Sequence, residues 1–286
     1  MPGKNRKSQK NKHHPFFDYS SDECYDSSDF YDSDNDFYYY SSGGKNTTAD
    51  GNNDNKETGN DSGLSLEKLP LKPRKKLLVL GLNGLLLYRV YRFNKAGFPT
   101  TRNPDGRYAC QLAFRRPFAR EFMEFCLERF EVAIWSCARE RKVKGVLECA
   151  IGFLNRSKLL AVFDQDQCTD SDLNSREDGK KPLVFKQLEK VWNYFRGKYS
   201  ESDTLLIDDQ PYQALLNPPH TAIFLESFNP DNARDNALDP KGELGVYLDG
   251  LAAADDVQLY VKENPFGLPS MSNDHPDWNF YSKILR

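Results

Sequence analysis

Short apolar runs alternate with segments of helical periodicity from residue 74 to the end of the chain. Strands are predicted at 77–80, 130–135, 159–163, 204–207 and 221–224, where the residues are mainly apolar. Helices are predicted after Pro117 and at 139–154, 186–195 and 244–262, where apolar residues recur every three or four positions. The polar segments 94–107 and 165–181 are predicted to be loops. This alternation predicts an α/β fold, with a Rossmann-like parallel sheet that carries helices on both faces.

The first part of the chain has a different composition. No Ile, Leu or Val precedes Leu64, and acidic residues, Ser and aromatic residues dominate instead. Such a segment has too little aliphatic surface to offset the entropy of ordering, so residues 1–68 are predicted to be a disordered acidic and aromatic tail. We expect one folded domain at 69–265 and a C-terminal extension at 266–286.

Charge and composition exclude several functional classes. The 39 Lys and Arg against 42 Asp and Glu give a formal charge of -3, which does not indicate a nucleic-acid partner. The longest apolar run, 77–87, contains Gly81 and Asn83 and is too short for a membrane span, and no secretory signal is expected at the start. The six cysteines include no CxxC pair, and their positions suit reduced thiols. Because thiols stay reduced in the nucleus and cytoplasm, we expect a nuclear or cytoplasmic protein.

Polar residues follow several of the predicted strands. Ser136 follows the second strand, and Asp208 and Asp209 follow the fourth, while Lys186 lies at the start of a predicted helix. Strand ends of a parallel sheet meet at one edge, where a hydroxyl and an ammonium can hold phosphate and carboxylates can hold Mg²⁺. Each residue also has a simpler interpretation, as a helix cap or as a solvent-exposed lysine.

The order of these residues resembles the C-terminal-domain phosphatase family, the Dullard and NLI-interacting-factor-like branch of the haloacid dehalogenase superfamily. The resemblance runs from about residue 74 to 265. The matching segments are 77–86, Arg116-Pro117 with Phe122, 134–138, 186–188, 205–212, 217–220 and 261–266. It implies a haloacid dehalogenase-like fold and, for an intact member, a Mg²⁺-dependent protein serine/threonine phosphatase.

The chain departs from this family at the catalytic motif. The family's first strand ends in Asp-x-Asp-x-Thr, in which the first Asp is the nucleophile and the second is the general acid and base. The matching positions here are Gly81, Asn83 and Leu85. No catalytic residue of the motif is therefore intact, and the chain is interpreted as a pseudophosphatase.

Other functional positions of the family are retained. The resemblance implies phosphate binding by Ser136 and Lys186. It also implies Mg²⁺ binding by Asp208 and Asp209, weak or vestigial because the nucleophile's carboxylate is missing from the ligand set.

A second Asp-x-Asp sequence offers alternative chemistry. Asp164 and Asp166 also follow an apolar run, but Asp208 comes only 44 residues after Asp164. A second strand, its hydroxyl, a helix and Lys186 would all have to fit into that interval. We therefore expect a loop at a neighbouring strand end and leave open that the pair compensates for the lost motif.

Three functions stay open. The first is a catalytically silent module that binds a phosphoprotein or peptide segment. The second is a protein serine/threonine phosphatase of the same family. The third is a structural role like that of the receptor-like subunit of the mitochondrial inner-membrane import translocase, which shares this domain and would place the protein at that membrane. Neither the partner nor the oligomeric state is indicated by the sequence.

Overall fold

A computed structural model describes residues 74–108, 110–174 and 182–285. The tail predicted at 1–68 lies outside the described residues. The strands are β1 Leu77–Gly81, β2 Leu87–Tyr91, β3 Gly106–Tyr108, β4 Gln111–Arg115, β5 Glu131–Trp135, β6 Ala161–Phe163, β7 Thr169–Asn174, β8 Pro182–Phe185, β9 Thr204–Asp208 and β10 Ala222–Phe224. The α-helices are α1 Ala119–Arg129, α2 Glu140–Ile151, α3 Phe153–Arg156, α4 Leu188–Tyr194, α5 Glu243–Ala253, α6 Val257–Glu263 and α7 Trp278–Tyr281.

The centre of the domain is a five-stranded parallel sheet in the order β10-β9-β1-β5-β6. Every residue of β1 is buried, as expected for a strand that is covered on both faces. Leu78 and Leu80 pack into one core with helices α1, α2, α5 and α6. Leu77 and Val79 pack into a second core with α4 on the opposite face. The predicted fold class is confirmed.

Two antiparallel additions accompany this sheet. Strands β2, β4 and β3 form a three-stranded sheet, and β7 pairs with β8. The loop predicted at 165–181 is therefore wrong for Thr169–Asn174, which is strand β7. All of its side chains except the exposed Leu173 are polar, so local hydrophobicity gave no sign of it. The strand exists because its backbone pairs with β8, whose Leu183 and Phe185 are buried.

Helix boundaries differ from the prediction, as at 254–256 between α5 and α6, and two further differences have a clear cause. Lys186 does not lie on a helix, because α4 begins at Leu188 and Lys186 directly follows β8. The helix predicted at 139–154 is interrupted at Gly152, whose φ of 82° ends α2. A positive φ of this kind favours glycine, and with a ψ of 158° the residue leaves the helical conformation.

The C-terminal extension contains α7. Tyr281 is buried beside Leu183 and Phe185 of β8 and stacks on Tyr212, with ring centroids 5.4 Å apart. Within the part of the chain that the structure describes, no helix combines the length and apolar character needed to cross a bilayer.

Candidate functional site

The carboxyl ends of the three central strands bring the predicted site residues to one edge of the sheet. Gly81 pairs with Trp135, so Ser136 follows directly beside the end of β1. Leu80 pairs with Ile207, so Asp208 lies on the other side of Gly81. We call Gly81, Ser136, Lys186, Asp208 and Asp209 the strand-end site.

Lys186 and Asp208 form a buried ion pair. The Lys186 Nζ lies 2.5 Å from Oδ2 of Asp208, and the two side chains are only 4% and 1% exposed. Burial has the largest single effect and acts to lower the pKa of the Lys186 ammonium. The groups around it, first of all the Asp208 carboxylate, together raise that pKa above its usual range. The lysine is therefore charged and already has a carboxylate partner within the protein.

The Asp208 carboxylate also closes over Gly81. Its Oδ1 accepts a hydrogen bond from the backbone N–H of Asp209 at 3.0 Å. A Cβ atom on residue 81 would collide with this Oδ1 and would lie 3.1 Å from Cγ of Asp208. Because residue 81 is glycine, this position lacks the carboxylate of the family's motif, and the Asp208 carboxylate fills the space that a side chain would take.

Asp209 packs in the same way against Gly84. Gly84 has a φ of 81°, and a Cβ atom there would overlap the Asp209 carboxylate. Asp209 Oδ2 accepts hydrogen bonds from Ser227 Oγ at 2.5 Å and from Gln210 Nε2 at 3.1 Å. Burial, followed by the neighbouring Asp208 carboxylate, raises the pKa of Asp209 to about 7.

The two carboxylates do not fit a Mg²⁺ site as they are arranged. The Asp208 carboxylate is neutralised by Lys186, and Asp209 is hydrogen-bonded and protonates near neutral pH. Gly81 supplies no third carboxylate. Within the described ranges, no group of three or more His, Cys, Asp or Glu side chains is arranged to hold a metal ion.

The remaining positions of the catalytic motif have structural contacts. Asn83 Oδ1 accepts a hydrogen bond from Arg89 Nε on β2 at 3.3 Å. Leu85, at the position of the family's Thr, is fully buried in the core. Neither side chain can transfer a proton as a carboxylic acid does.

Ser136 is buried, and its Oγ accepts a hydrogen bond from the backbone N–H of Ala138 at 3.2 Å. This contact stabilises the turn between β5 and α2. Ser136 does not cap α2, because the N-cap residue of that helix is Arg139, so the helix-cap interpretation is wrong for Ser136. The hydroxyl hydrogen is not used in this contact, so Ser136 keeps a donor for a ligand.

The second Asp-x-Asp sequence has a structural role. Asp164 caps the short 3₁₀-helix Gln165–Gln167: its side chain accepts from Asp166 N at 2.8 Å, and its N–H donates to Gln167 Oε1 at 2.7 Å. The pair follows β6, at the edge of the sheet, with β5 between β6 and β1. It does not occupy the nucleophile position.

One buried contact near the site had no sequence signal. Arg116 binds Asp235 through two hydrogen bonds of 3.0 Å and donates to the Leu85 carbonyl at 3.2 Å. Arg116 belongs to the matching segments, but Asp235 lies in a polar stretch like many others in the chain. The pair ties the 226–240 loop to the turn that follows β1.

Comparison with known proteins found a similar curated sequence. An uncharacterized FCP1 homology domain-containing protein of Schizosaccharomyces pombe is 25% identical over 205 residues, which cover 67% of this chain and 78% of that protein.

Two solved structures of the RNA polymerase II CTD phosphatase Fcp1 match at 14% identity, with TM-scores of 0.38 and, for a fission yeast variant bound to beryllium fluoride, 0.37. Each match covers 74% of this chain, which spans 61% and 62% of those two chains. The sequence model of the NLI interacting factor-like phosphatases matches residues 76–258. The chain therefore belongs to the NLI interacting factor-like phosphatase family.

Proposed function

We propose that this domain has lost the catalytic chemistry of its family and acts as a phosphoprotein- or protein-binding module. The observation that carries the proposal is the closure of the Asp208 carboxylate over Gly81. Without a carboxylate at 81 the family's phosphoenzyme cannot form, and Asn83 cannot protonate the leaving group. Each ~1.4 kcal/mol of lost transition-state stabilisation lowers the rate tenfold, so losing both groups lowers it by many powers of ten.

A phosphate ligand would bind through Lys186 and Ser136. Lys186 supplies a buried positive charge and Ser136 a hydroxyl donor, which together suit a phosphoserine group. The phosphate must compete with Asp208 for the ammonium, because that carboxylate already lies 2.5 Å from Nζ. We therefore expect modest affinity and a binding step that moves Asp208.

This mode of binding does not require Mg²⁺. We propose that Mg²⁺ binding by Asp208 and Asp209 is weak, because the ion would have to replace Lys186 as the partner of Asp208. The nuclear or cytoplasmic location and the identity of the partner stay predictions. No contact at the strand-end site favours the phosphatase or the mitochondrial alternative.

The test combines hydrolysis and binding. Wild-type protein with Mg²⁺ is expected to release no phosphate from a phosphoserine peptide or from para-nitrophenyl phosphate. In fluorescence anisotropy, the phosphoserine peptide should bind more tightly than its unphosphorylated form, and Lys186→Met should remove this difference.

Lys198→Met is the matched control. Lys198 forms an ion pair with Glu131 at 2.9 Å. Glu131 is the first residue of β5 and therefore lies at the amino-terminal end of that strand, away from the strand-end site. Phosphate release by the wild type would contradict the loss of catalysis. Binding of both peptides that is unchanged in Lys186→Met would contradict the phosphate-binding role.

A further inference from the structure

Two free thiols lie next to each other beside the strand-end site. Cys137 directly follows Ser136, and Cys168 precedes β7, yet their Sγ atoms are only 3.8 Å apart. Cys137 is partly exposed and Cys168 is buried. Neither thiol has a part in the function proposed above.

Cys168 lies in the apolar core beside α4, Cys137 packs against that core, and each sulfur also has a polar contact. Cys137 Sγ donates to Gln213 Oε1 at 3.4 Å, and Cys168 Sγ lies 3.7 Å from the Asp164 carbonyl oxygen. The contact between the two sulfurs, aided by the Lys186 ammonium, lowers the pKa of Cys168, although burial acts to raise it. The same contact and burial raise the pKa of Cys137. This difference in pKa suits Cys168 as the attacking thiolate and Cys137 as the thiol that then reacts with the oxidised Cys168.

We propose that Cys137 and Cys168 are a peroxide-sensitive pair that closes to an intramolecular disulfide. The Cys168 thiolate attacks one oxygen of hydrogen peroxide, the O–O bond breaks, and the released hydroxide takes a proton to become water. Cys137 then attacks the sulfur of the resulting sulfenic acid and expels a second water. Overall, two thiols and one hydrogen peroxide give one disulfide and two water molecules.

The required movement is small. A disulfide has an S–S distance of ~2.0 Å, so the sulfurs must approach by about 1.8 Å from their present 3.8 Å. Side-chain rotation at Cys137 supplies part of this movement and breaks its contact with Gln213. The backbone carbonyl of Gln213 accepts the N–H of Lys186 at 2.7 Å. Closure of the disulfide therefore disturbs both Ser136, next to Cys137, and the segment that positions Lys186.

The first measurement is peptide mapping of the full chain by mass spectrometry under non-reducing conditions, before and after hydrogen peroxide treatment. We expect a cross-linked Cys137–Cys168 peptide whose mass is lower by two hydrogen atoms than that of the separate peptides, and which dithiothreitol reverses. Cys137→Ser and Cys168→Ser should each abolish the cross-link. Cys126→Ser is the matched control, because Cys126 is fully buried on the other face of the sheet and its thiol should not take part.

Several results would overturn the proposal. These are absence of the cross-link in wild type, oxidation of Cys168 only to sulfinic acid, or a cross-link to another cysteine. A second measurement rests on the proposed function: the disulfide should weaken phosphoserine-peptide binding by about tenfold, with recovery on reduction. The cross-link is detected by mass spectrometry without a ligand, so the two proposals can fail separately. A protein that forms the cross-link but binds no phosphopeptide would contradict the proposed function and leave the disulfide proposal supported.

Discussion

The buried ion pair at the strand-end site leads to a quantitative stability prediction. At 2.5 Å and an effective dielectric constant of about 20, the attraction between Lys186 and Asp208 is about 7 kcal/mol before the loss of hydration is subtracted. Removing one partner leaves the other charge buried without compensation. Lys186→Met or Asp208→Asn alone should therefore lower the free energy of unfolding by about 3–5 kcal/mol.

The double variant should be much less destabilised than the sum of the two changes. With both charges removed, no uncompensated charge stays buried, and Asn at 208 can still accept the N–H of Asp209. We expect a total loss of about 1–2 kcal/mol, and hence a coupling free energy of several kcal/mol. Urea unfolding followed by circular dichroism gives the four free energies that the cycle needs.

The control cycle uses an exposed pair. Lys198 and Glu131 are 43% and 31% exposed, so Lys198→Met and Glu131→Gln should change stability by about 1 kcal/mol or less, with little coupling. Additive losses in the Lys186 and Asp208 cycle would refute the reasoning, because they would mean that the two charges do not compensate each other in the folded protein.

Three further predictions concern the same edge of the sheet. In thermal unfolding, Gly84→Ala should destabilise the protein by about 2 kcal/mol more than Gly197→Ala. Both glycines have a positive φ, but a Cβ at 197 meets no atom within 4 Å, whereas a Cβ at 84 overlaps the Asp209 carboxylate. The free energy of unfolding should fall as the pH rises from 3.8 to about 7, because the folded protein holds a proton on Asp209 that the unfolded chain releases. Asp209→Asn should flatten this pH dependence in urea unfolding experiments. An unchanged pH dependence would count against the raised pKa of Asp209. Asp208→Asn should strengthen phosphoserine-peptide binding about tenfold in anisotropy measurements, because it removes the internal competitor for Lys186; weaker binding would indicate that Asp208 helps to hold the ligand.

The sequence predicted the parts of the fold that depend on local hydrophobicity. The apolar runs located all five strands of the parallel sheet, and the order of polar residues after them located the strand-end site. The β7–β8 pair was missed because its stability comes from backbone pairing and from burial of β8, which are not visible in the polar sequence of β7.

Details of the site depended on packing that no motif encodes. The sequence showed that residue 81 is a glycine without a nucleophilic side chain. It did not show that the Asp208 carboxylate closes over Gly81. It also gave no sign that Cys137 and Cys168, 31 residues apart in the chain, have adjacent sulfur atoms. Both facts follow from how the strand ends and loops meet in three dimensions.

The closure of Asp208 over Gly81 also bears on how a carboxylate could be introduced at position 81. An aspartate introduced at 81 would enter a position that its neighbour occupies, and that neighbour is held in place by Lys186. Restoring the family's motif by single substitutions would therefore pass through a less stable protein that still lacks a carboxylic acid at position 83. A change that first releases Asp208 would have to come before the nucleophile, so the order of substitutions matters and simple back-mutation is disfavoured.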